Sequence, residues 1–346
     1  MKYQLTISEK IEKFLALTFL KLPLPIIKLL NGKPIQIDGQ TMDPFVQFMV
    51  KYFIDHEVGY IPSVEEDRRE IDVTGNWFAH NPKSSVSITK WRANGPNGEI
   101  FCEIYRPAKL PPENAPALMF YHGGGYVSGS LESHQNLCRQ LAHEVNCAVV
   151  AVDYRLAPEY KFPIGINDCL AAFDAAIEQA QELGFDPKRI SLGGDSAGGN
   201  AAAVIAQQRK NSYFPPKFQA LWVPVVDMSK QTRSYELMGK GFFIEKKKID
   251  WYTEHYLLSE EDAMDPLASP LLGDAKGVCD AAVFVAGFDP LRDEGRAYVE
   301  KLKSAGVPTQ FTFYEGVFHP FINVAGKIPI ARKAFDEAVI ILKANI

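Results

Sequence analysis

A serine between small residues is the strongest chemical signal in the chain. Gly194-Asp195-Ser196-Ala197-Gly198 follows a strand-like run at residues 189–192 and precedes an alanine-rich, helix-like run at residues 201–206. In this strand, sharp turn and helix context, a Gly-x-Ser-x-Gly sequence exposes its serine hydroxyl as a nucleophile. Ser196 is therefore the candidate nucleophile. The alternative is a glycine-rich turn that binds phosphate or only caps the helix.

A second glycine-rich segment lies upstream of this serine. His122-Gly123-Gly124-Gly125-Tyr126 follows a buried-strand pattern at residues 117–121. Acyl transfer turns a carbonyl oxygen into an anion, and backbone N–H groups already aimed at that oxygen stabilise it without reorganising. Consecutive glycines allow such N–H groups to point inward, and the residue after the nucleophile, Ala197, supplies another. The two motifs together favour acyl transfer over a glycine turn that binds no anion.

Ser196 requires a general base, because a serine hydroxyl is a weak nucleophile at its ordinary pKa. His319 follows a strand-like run at residues 309–314, and Asp289 follows a buried run at residues 281–287. The chain order serine, acid, histidine is the order expected with this kind of serine turn. In that arrangement His319 takes the serine proton, and Asp289 holds the imidazole in the correct tautomer.

Other polar residues near these motifs have competing interpretations. Asp293 is the alternative acid, but the helical pattern of residues 292–303 places it in a first helical turn, where the helix dipole favours a carboxylate. His122 is expected to brace the glycine loop. Tyr126 is interpreted either as pocket wall or as loop packing. Structural or bracing roles are predicted for the remaining polar candidates, which are His56, His80, His134, His143, His255, Asp153, Arg155, Glu159 and Asp195.

Buried, strand-like runs alternate with helical patterns from residue 95 to residue 346. The runs lie at residues 101–106, 117–121, 148–154, 189–192, 219–226, 281–286 and 310–314. The clearest helical pattern spans residues 165–183. This alternation predicts a mainly parallel sheet with helices on both faces. Catalytic groups in such sheets lie at the carboxyl ends of strands, which is where Asp289 and His319 fall.

The alternation fails in two segments, residues 1–60 and residues 227–273, and we predict that they form a helical cap. Residues 61–226 and 274–346 then form the two parts of the core. The second cap segment is rich in aromatic residues, which bury large areas wherever they lie. We predict that some of its large apolar side chains pack in the core of the lid and that others form the wall of the acyl pocket. These side chains are Phe242, Phe243, Trp251, Tyr252, Tyr256 and Leu257.

Residues 14–30 are rich in Leu, Ile and Phe, but Lys21, Lys28, Pro23 and Pro25 interrupt the run. A spanning helix needs about 20 mostly apolar residues, so we expect no signal segment and no stable membrane insertion. Two interpretations remain. The segment is either an amphipathic cover over the active site, which we favour, or an element that lies on a membrane surface.

Composition excludes several classes of function. The chain has 37 basic and 42 acidic residues and no basic stripe, so nucleic acid is not an expected partner. Five scattered cysteines, with no Cys-x-x-Cys pair, indicate free thiols in a reducing compartment, and they argue against structural zinc. We therefore expect a cytoplasmic protein without a metal or cofactor.

At these motifs the chain resembles the hormone-sensitive lipase family of α/β-hydrolases, in its bacterial family IV branch. The resemblance rests on five segments, which are residues 122–125, 153–159, 194–199, 289–295 and 319–321. It departs from the family at Pro320, where members usually have glycine. The family implies an α/β-hydrolase fold with a mainly parallel eight-stranded sheet and a helical cap. It also implies the roles of Ser196, Asp289 and His319 given above.

The resemblance further implies an oxyanion hole from the N–H groups of Gly124, Gly125 and Ala197, although which two of the three loop glycines donate stays open. The predicted function is that of a serine carboxylesterase, which hydrolyses short- to medium-chain acyl esters of small molecules through an acyl-enzyme. A homodimer is left open. One alternative is a ligand-binding protein of the same fold, which has no need of both Ser196 and His319. Another keeps the catalysis but acts on an amide or a lipid-surface ester.

Overall fold

The computed structural model describes residues 3–53, 59–79, 82 and 86–346. A small antiparallel hairpin, β1 (Gln36–Ile37) and β2 (Gln40–Thr41), precedes the main sheet. The main sheet has eight strands, which are β3 (Val86–Gly95), β4 (Gly98–Pro107), β5 (Ala115–Tyr121), β6 (Ala148–Asp153), β7 (Phe185–Asp195), β8 (Gln219–Trp222), β9 (Ala281–Phe288) and β10 (Thr309–Phe318).

The strand order across the sheet is β10-β9-β8-β7-β5-β6-β4-β3. Strands β5 to β10 pair in parallel, whereas β4 pairs antiparallel with both β6 and β3. Every residue of β5 and of β9 is buried, as expected for parallel strands covered on both faces. This arrangement confirms the predicted mainly parallel eight-stranded sheet.

Eleven helices in the described residues surround the sheet. They are α1 (Ile7–Phe19), α2 (Leu24–Asn31), α3 (Pro44–Tyr52), α4 (Val64–Thr74), α5 (Leu131–Leu141), α6 (Ile164–Glu178), α7 (Ala197–Gln208), α8 (Arg233–Met238), α9 (Lys246–Tyr256), α10 (Arg292–Ser304) and α11 (Pro329–Asn345). Buried side chains of α6, α7 and α10 form one apolar cluster with one face of the sheet. Those of α5 and α11 form a second cluster with the other face.

Two predicted elements end at least four residues earlier in the structure, and one strand was missed. The predicted strand at residues 219–226 ends at Trp222, because Val223 has a positive φ of 41° and the Val225 carbonyl accepts from the Asn200 side chain at 2.9 Å. The helical pattern at residues 165–183 ends at Glu178. Strand β3 was not predicted, because this edge strand is largely solvent-facing and lacks a continuous apolar run.

No helix within the described ranges is by itself long and apolar enough to cross a membrane. Helices α1 and α2 pass that test only as a pair, and the pair is bent by 117°. All five cysteines are free thiols, and four of them are buried. The part of the chain that the structure describes holds no group of three or more His, Cys, Asp or Glu side chains arranged for a metal ion.

Candidate active site

The predicted site residues follow the carboxyl ends of parallel strands. Ser196 comes directly after β7, Asp289 directly after β9 and His319 directly after β10. The glycine loop, residues 123–125, begins two residues after β5. Since parallel strands end at the same edge of a sheet, four segments far apart in sequence meet there.

Ser196 lies in a strained turn between β7 and α7, with φ 57° and ψ −118°. A positive φ is rare for a residue with a side chain and marks local backbone strain. At the two flanking glycines, Gly194 and Gly198, there is no room for a side chain. A Cβ on Gly194 would lie 2.3 Å from the carbonyl carbon of Gly198, and one on Gly198 would lie 1.8 Å from the Tyr121 oxygen. The glycines of the motif thus let neighbouring backbones approach closely.

The structure brings Ser196, His319 and Asp289 into one hydrogen-bonded chain. The Oγ of Ser196 lies 3.0 Å from Nε2 of His319, and Nδ1 of His319 lies 3.0 Å from Oδ2 of Asp289. The other carboxylate oxygen, Oδ1, accepts from the Leu291 N–H at 2.9 Å. Because an ionised carboxylate only accepts hydrogen bonds, Asp289 keeps the imidazole proton on Nδ1. The lone pair on Nε2 then faces the serine hydroxyl, which is the arrangement needed to activate it.

Asp293, the alternative acid, lies apart from this chain. It is in the first turn of α10, as the sequence predicts, and a quarter of its side chain is exposed. Its carboxylate accepts from the Ser234 N–H at 2.9 Å and from Nε of Arg292 at 2.8 Å. Neither partner belongs to the hydrogen-bonded chain that holds Ser196.

The glycine loop has one amide in use and two available. The N–H of Gly123 donates to Oδ1 of Asp195 at 3.1 Å. Among the described residues, the amides of Gly124, Gly125 and Ala197 donate to no backbone or side-chain oxygen. Gly124 and Gly125 both have positive φ, 115° and 61°, and a Cβ on Gly125 would lie 2.3 Å from the Tyr252 ring. Ala197 is the first residue of α7, where helix amides lack intrahelical acceptors.

Asp195, beside Ser196, connects three segments of the site. Its buried carboxylate accepts from the Gly123 amide, from Nε2 of His134 at 3.3 Å, and from the Asn323 side chain at 3.3 Å. Burial alone raises the pKa of Asp195, but the charge and hydrogen bond of His134, with further help from Asn323, hold that pKa below its ordinary value. Asp195 therefore braces the glycine loop and the segment after His319, in agreement with its predicted role.

His122 is also a brace. Burial, followed by the nearby His134, lowers the pKa of His122 to about 3, so its ring is neutral at physiological pH. Its Nδ1 donates to the Gly123 carbonyl at 2.8 Å, and its ring stacks on Tyr154 with centroids 4.3 Å apart. These contacts fix the start of the glycine loop, as the sequence predicts.

Tyr126 packs inside the protein and does not line the cavity. Its hydroxyl donates to the Asn200 side chain at 2.9 Å, and its ring stacks on Tyr256 with centroids 4.2 Å apart. Of the two interpretations left open for Tyr126, the structure therefore supports loop packing.

A cavity of about 530 Å³ contains Ser196 and His319. Its walls come from both predicted cap segments and from α4 with the residues that follow it, and they include Glu9, Ala16, Met49, Phe53, Asp67, Ile71, Trp77, Phe242, Phe243 and Tyr252. Among the six large side chains predicted to be lid core or pocket wall, these last three line the cavity. The other three, Trp251, Tyr256 and Leu257, pack with the apolar cluster on one face of the sheet.

A buried polar cluster, which no sequence motif marks, joins α4 and α9 to the segment that follows the glycine loop. Asp67 of α4 is buried and accepts from the Tyr252 hydroxyl of α9 at 2.8 Å and from the Ser128 hydroxyl at 2.5 Å. It also forms an ion pair with Lys248 of α9. These partners lie 61 to 185 residues from Asp67 in the chain, so no local pattern could have identified the cluster.

Comparison with known proteins places the chain in a family. Residues 118–323 match the family described as alpha/beta hydrolase fold. Carboxylic ester hydrolase LipN of Mycobacterium tuberculosis is 37% identical over 321 residues, which cover 88% of this chain and 83% of that protein. Ethyl acetate hydrolase of Pseudomonas putida is 38% identical over 285 residues, or 81% of this chain and 89% of that protein.

Solved structures agree with this assignment. The esterase of Pyrobaculum calidifontis superposes with a TM-score of 0.81 at 31% identity, over 88% of this chain and 98% of that one. The carboxylesterase EstE1, cloned from a metagenomic library, superposes with a TM-score of 0.78 at 36% identity, over 82% and 98%. The resemblance drawn from the motifs is thus confirmed, and the chain belongs to the α/β-hydrolase fold family, in its hormone-sensitive lipase branch of carboxylic ester hydrolases.

Proposed function

We propose that this protein is a serine carboxylesterase in which Ser196 is the nucleophile, His319 the general base and Asp289 the residue that orients His319. The observation that carries the proposal is the hydrogen-bonded chain from Oγ of Ser196 through His319 to Asp289, with both heavy-atom distances at 3.0 Å. Ser196 and His319 line a cavity large enough for a small ester. The names of the relatives, carboxylic ester hydrolase and ethyl acetate hydrolase, support the same reaction class.

The reaction proceeds in two halves. In the first, Oγ of Ser196 attacks the ester carbonyl carbon while Nε2 of His319 takes the hydroxyl proton. Collapse of the tetrahedral intermediate returns that proton to the leaving alkoxide, so an alcohol departs and the acyl group stays on Ser196. In the second half, His319 takes a proton from water as the water attacks the acyl-enzyme. The carboxylic acid then leaves and the serine hydroxyl is restored.

The tetrahedral oxyanion is met by the N–H groups of Gly124, Gly125 and Ala197. The pair Gly124 and Gly125 is favoured over Gly123, because the Gly123 amide already donates to Asp195. Donors that are fixed before the reaction stabilise developing charge without reorganising. The contact of Tyr252 with Gly125, and the bonds of Tyr252 and Ser128 to Asp67, hold the loop in position.

We infer that the acyl chain is short to medium in length. Side chains from residues 1–60 and 227–273, among them Ala16, Phe242 and Phe243, wall the cavity around Ser196. A walled cavity of about 530 Å³ limits the length of chain that fits. The name of one relative, ethyl acetate hydrolase, agrees with a short acyl group.

Ser196→Ala tests the proposal directly. The change removes one hydroxyl and no core volume, so the fold is expected to persist while kcat for 4-nitrophenyl butyrate falls by several orders of magnitude. An alkyl phosphonate probe is expected to label the wild-type protein and not this variant. Ser212→Ala, at an exposed serine after α7, is the matched control and should keep full activity. A folded Ser196→Ala variant that retains more than about a hundredth of the wild-type kcat would overturn the assignment.

A further inference from the structure

The first two helices present an unusually apolar surface to solvent. Of the 21 exposed large apolar side chains in the described residues, nine lie between residues 7 and 30. Three are more than two-thirds exposed, with Ile7 at 78%, Phe14 at 68% and Leu29 at 80%. Scattered exposed apolar residues are ordinary, but a contiguous group of this kind marks an interaction surface.

The two faces of α1 are reversed relative to an ordinary surface helix. Its exposed apolar residues have the spacing i, i+4, i+7 and i+8 of one helical face, and they are Ile7, Ile11, Phe14 and Leu15. The opposite side meets the protein through the small, buried Ala16 and through polar contacts. Glu9 pairs with Arg69 at 3.0 Å, and the Lys13 ammonium lies 6.0 Å from the centroid of the Trp77 ring. A helix of a water-soluble protein normally turns its apolar stripe toward the core.

Lysines surround this apolar surface. Residues 3–33 carry five lysines and two glutamates, although the whole chain has more acidic than basic residues, 42 against 37. Four of these lysines are exposed, namely Lys10, Lys21, Lys28 and Lys33. The surface is thus cationic on a protein that is anionic overall. A two-fold dimer through it would set the same lysines against each other, whereas an anionic lipid surface compensates them.

We propose that the solvent-facing side of α1 and α2 docks onto the surface of an anionic lipid bilayer. Its Leu, Ile and Phe side chains enter at headgroup level, and its lysines contact the lipid phosphates. Both the apolar side chains and the lysines are needed, because one weak apolar anchor gives only marginal membrane binding. A basic patch supplies a second attraction to an anionic surface. Docking of this kind lies flat on the membrane and requires no spanning helix.

The docked surface lies close to the catalytic cavity. Glu9, Glu12 and Ala16, on the protein-facing side of α1, line the cavity that holds Ser196. The lipid surface and the cavity are therefore separated by one helix, about 10 Å across. Esters that partition into the membrane would be concentrated next to the site. The binding itself goes beyond the proposed esterase activity and does not depend on it.

The test is flotation of the full-length protein with phosphatidylcholine vesicles that contain or lack phosphatidylglycerol. We expect binding to the anionic vesicles, weakened by added salt. Phe14→Gln with Leu29→Gln should lower the affinity at least about tenfold, since two largely exposed apolar anchors are lost. Lys21→Ser and Lys28→Ser should each lower it about fivefold. Matched controls are Tyr213→Ser and Leu258→Gln, at side chains 91% and 69% exposed, and these should bind as the wild type does.

Three results would overturn the proposal. One is the absence of binding to anionic vesicles at low salt with lipid at about 1 mM, ten times the level at which a single acyl anchor is half bound. Another is unchanged affinity of the Phe14→Gln, Leu29→Gln variant. The third is that the wild type forms a dimer, that the Phe14→Gln, Leu29→Gln variant is a monomer, and that neither protein binds vesicles. Ser196→Ala should bind vesicles normally, so failure of docking and failure of the proposed esterase function are distinguishable.

Discussion

We expect Asp289→Asn to reverse the proton position on the His319 imidazole. The Leu291 N–H donates to Oδ1 of Asp289 at 2.9 Å, so an asparagine must keep its carbonyl oxygen there. Its NH₂ group then faces Nδ1 of His319, where Oδ2 now lies at 3.0 Å. Two N–H donors cannot share one hydrogen bond, so the imidazole proton moves to Nε2, which can no longer accept a proton from Ser196. We expect kcat to fall about 10⁴-fold, a loss of about 5 kcal/mol of transition-state stabilisation.

The assay compares kcat for 4-nitrophenyl butyrate in Asp289→Asn and in Asp293→Asn, with thermal unfolding as the check on folding. Asp293 accepts from Ser234 and Arg292 and not from His319, so its variant should lose about 1 kcal/mol of stability and stay within about tenfold of the wild-type kcat. If folded Asp289→Asn lost less than about a hundredfold, the tautomer argument would be refuted. A larger loss for Asp293→Asn would reassign the acid.

Two further predictions concern the cavity and a buried carboxyl group. The value of kcat/KM should rise up to about fourfold per methylene from acetate toward butyrate or hexanoate, since a buried methylene contributes about 0.8 kcal/mol, and then fall steeply at the wall. A preference for emulsified long-chain triglycerides over soluble butyrate esters would contradict this predicted dependence on acyl-chain length. Burial raises the pKa of Glu294 from 4.5 to about 8, so the folded state holds a proton that the unfolded state releases between these values. The unfolding free energy should therefore fall with rising pH in this window, by up to about 1.4 kcal/mol per pH unit. Glu294→Gln should remove that slope in thermal melts recorded from pH 5 to 9. An equally steep slope in the variant would refute the assignment.

The fold was predictable where burial leaves a continuous apolar run. Strands β5 and β9 are buried along their whole length, and their sequences are apolar throughout. Strand β3 gave no such signal, because an edge strand that faces solvent has few apolar residues to alternate. The end of β8 was missed for a different reason. The backbone turns at Val223, which has a positive φ, and the Val225 carbonyl accepts from the Asn200 side chain of α7, a tertiary contact that strand propensity does not contain.

The candidate site also has a part that local sequence predicts and a part that it does not. Local motifs predicted Ser196 and the glycine loop, because both need glycine where backbones approach too closely for a Cβ. The polar contacts that hold the loops were not predictable. The α4 sequence VEEDRREIDVT is strongly polar and is typical of a solvated helix, yet its Asp67 is buried beside Tyr252. Asn323 reaches Asp195 across 128 residues of sequence, without a motif to mark it.

The N-terminal helix shows why sequence left two interpretations open there. An amphipathic pattern gives two faces but does not say which one meets the protein. In the structure α1 covers the cavity with Glu9, Glu12 and Ala16, while Ile7, Ile11 and Phe14 face solvent. The favoured cover and the membrane-surface element are therefore compatible, because they use opposite sides of one helix. Apolar area left in water is unfavourable, and α1 keeps it exposed, so a lipid surface that removes this area from water stabilises the position that α1 already has over the cavity.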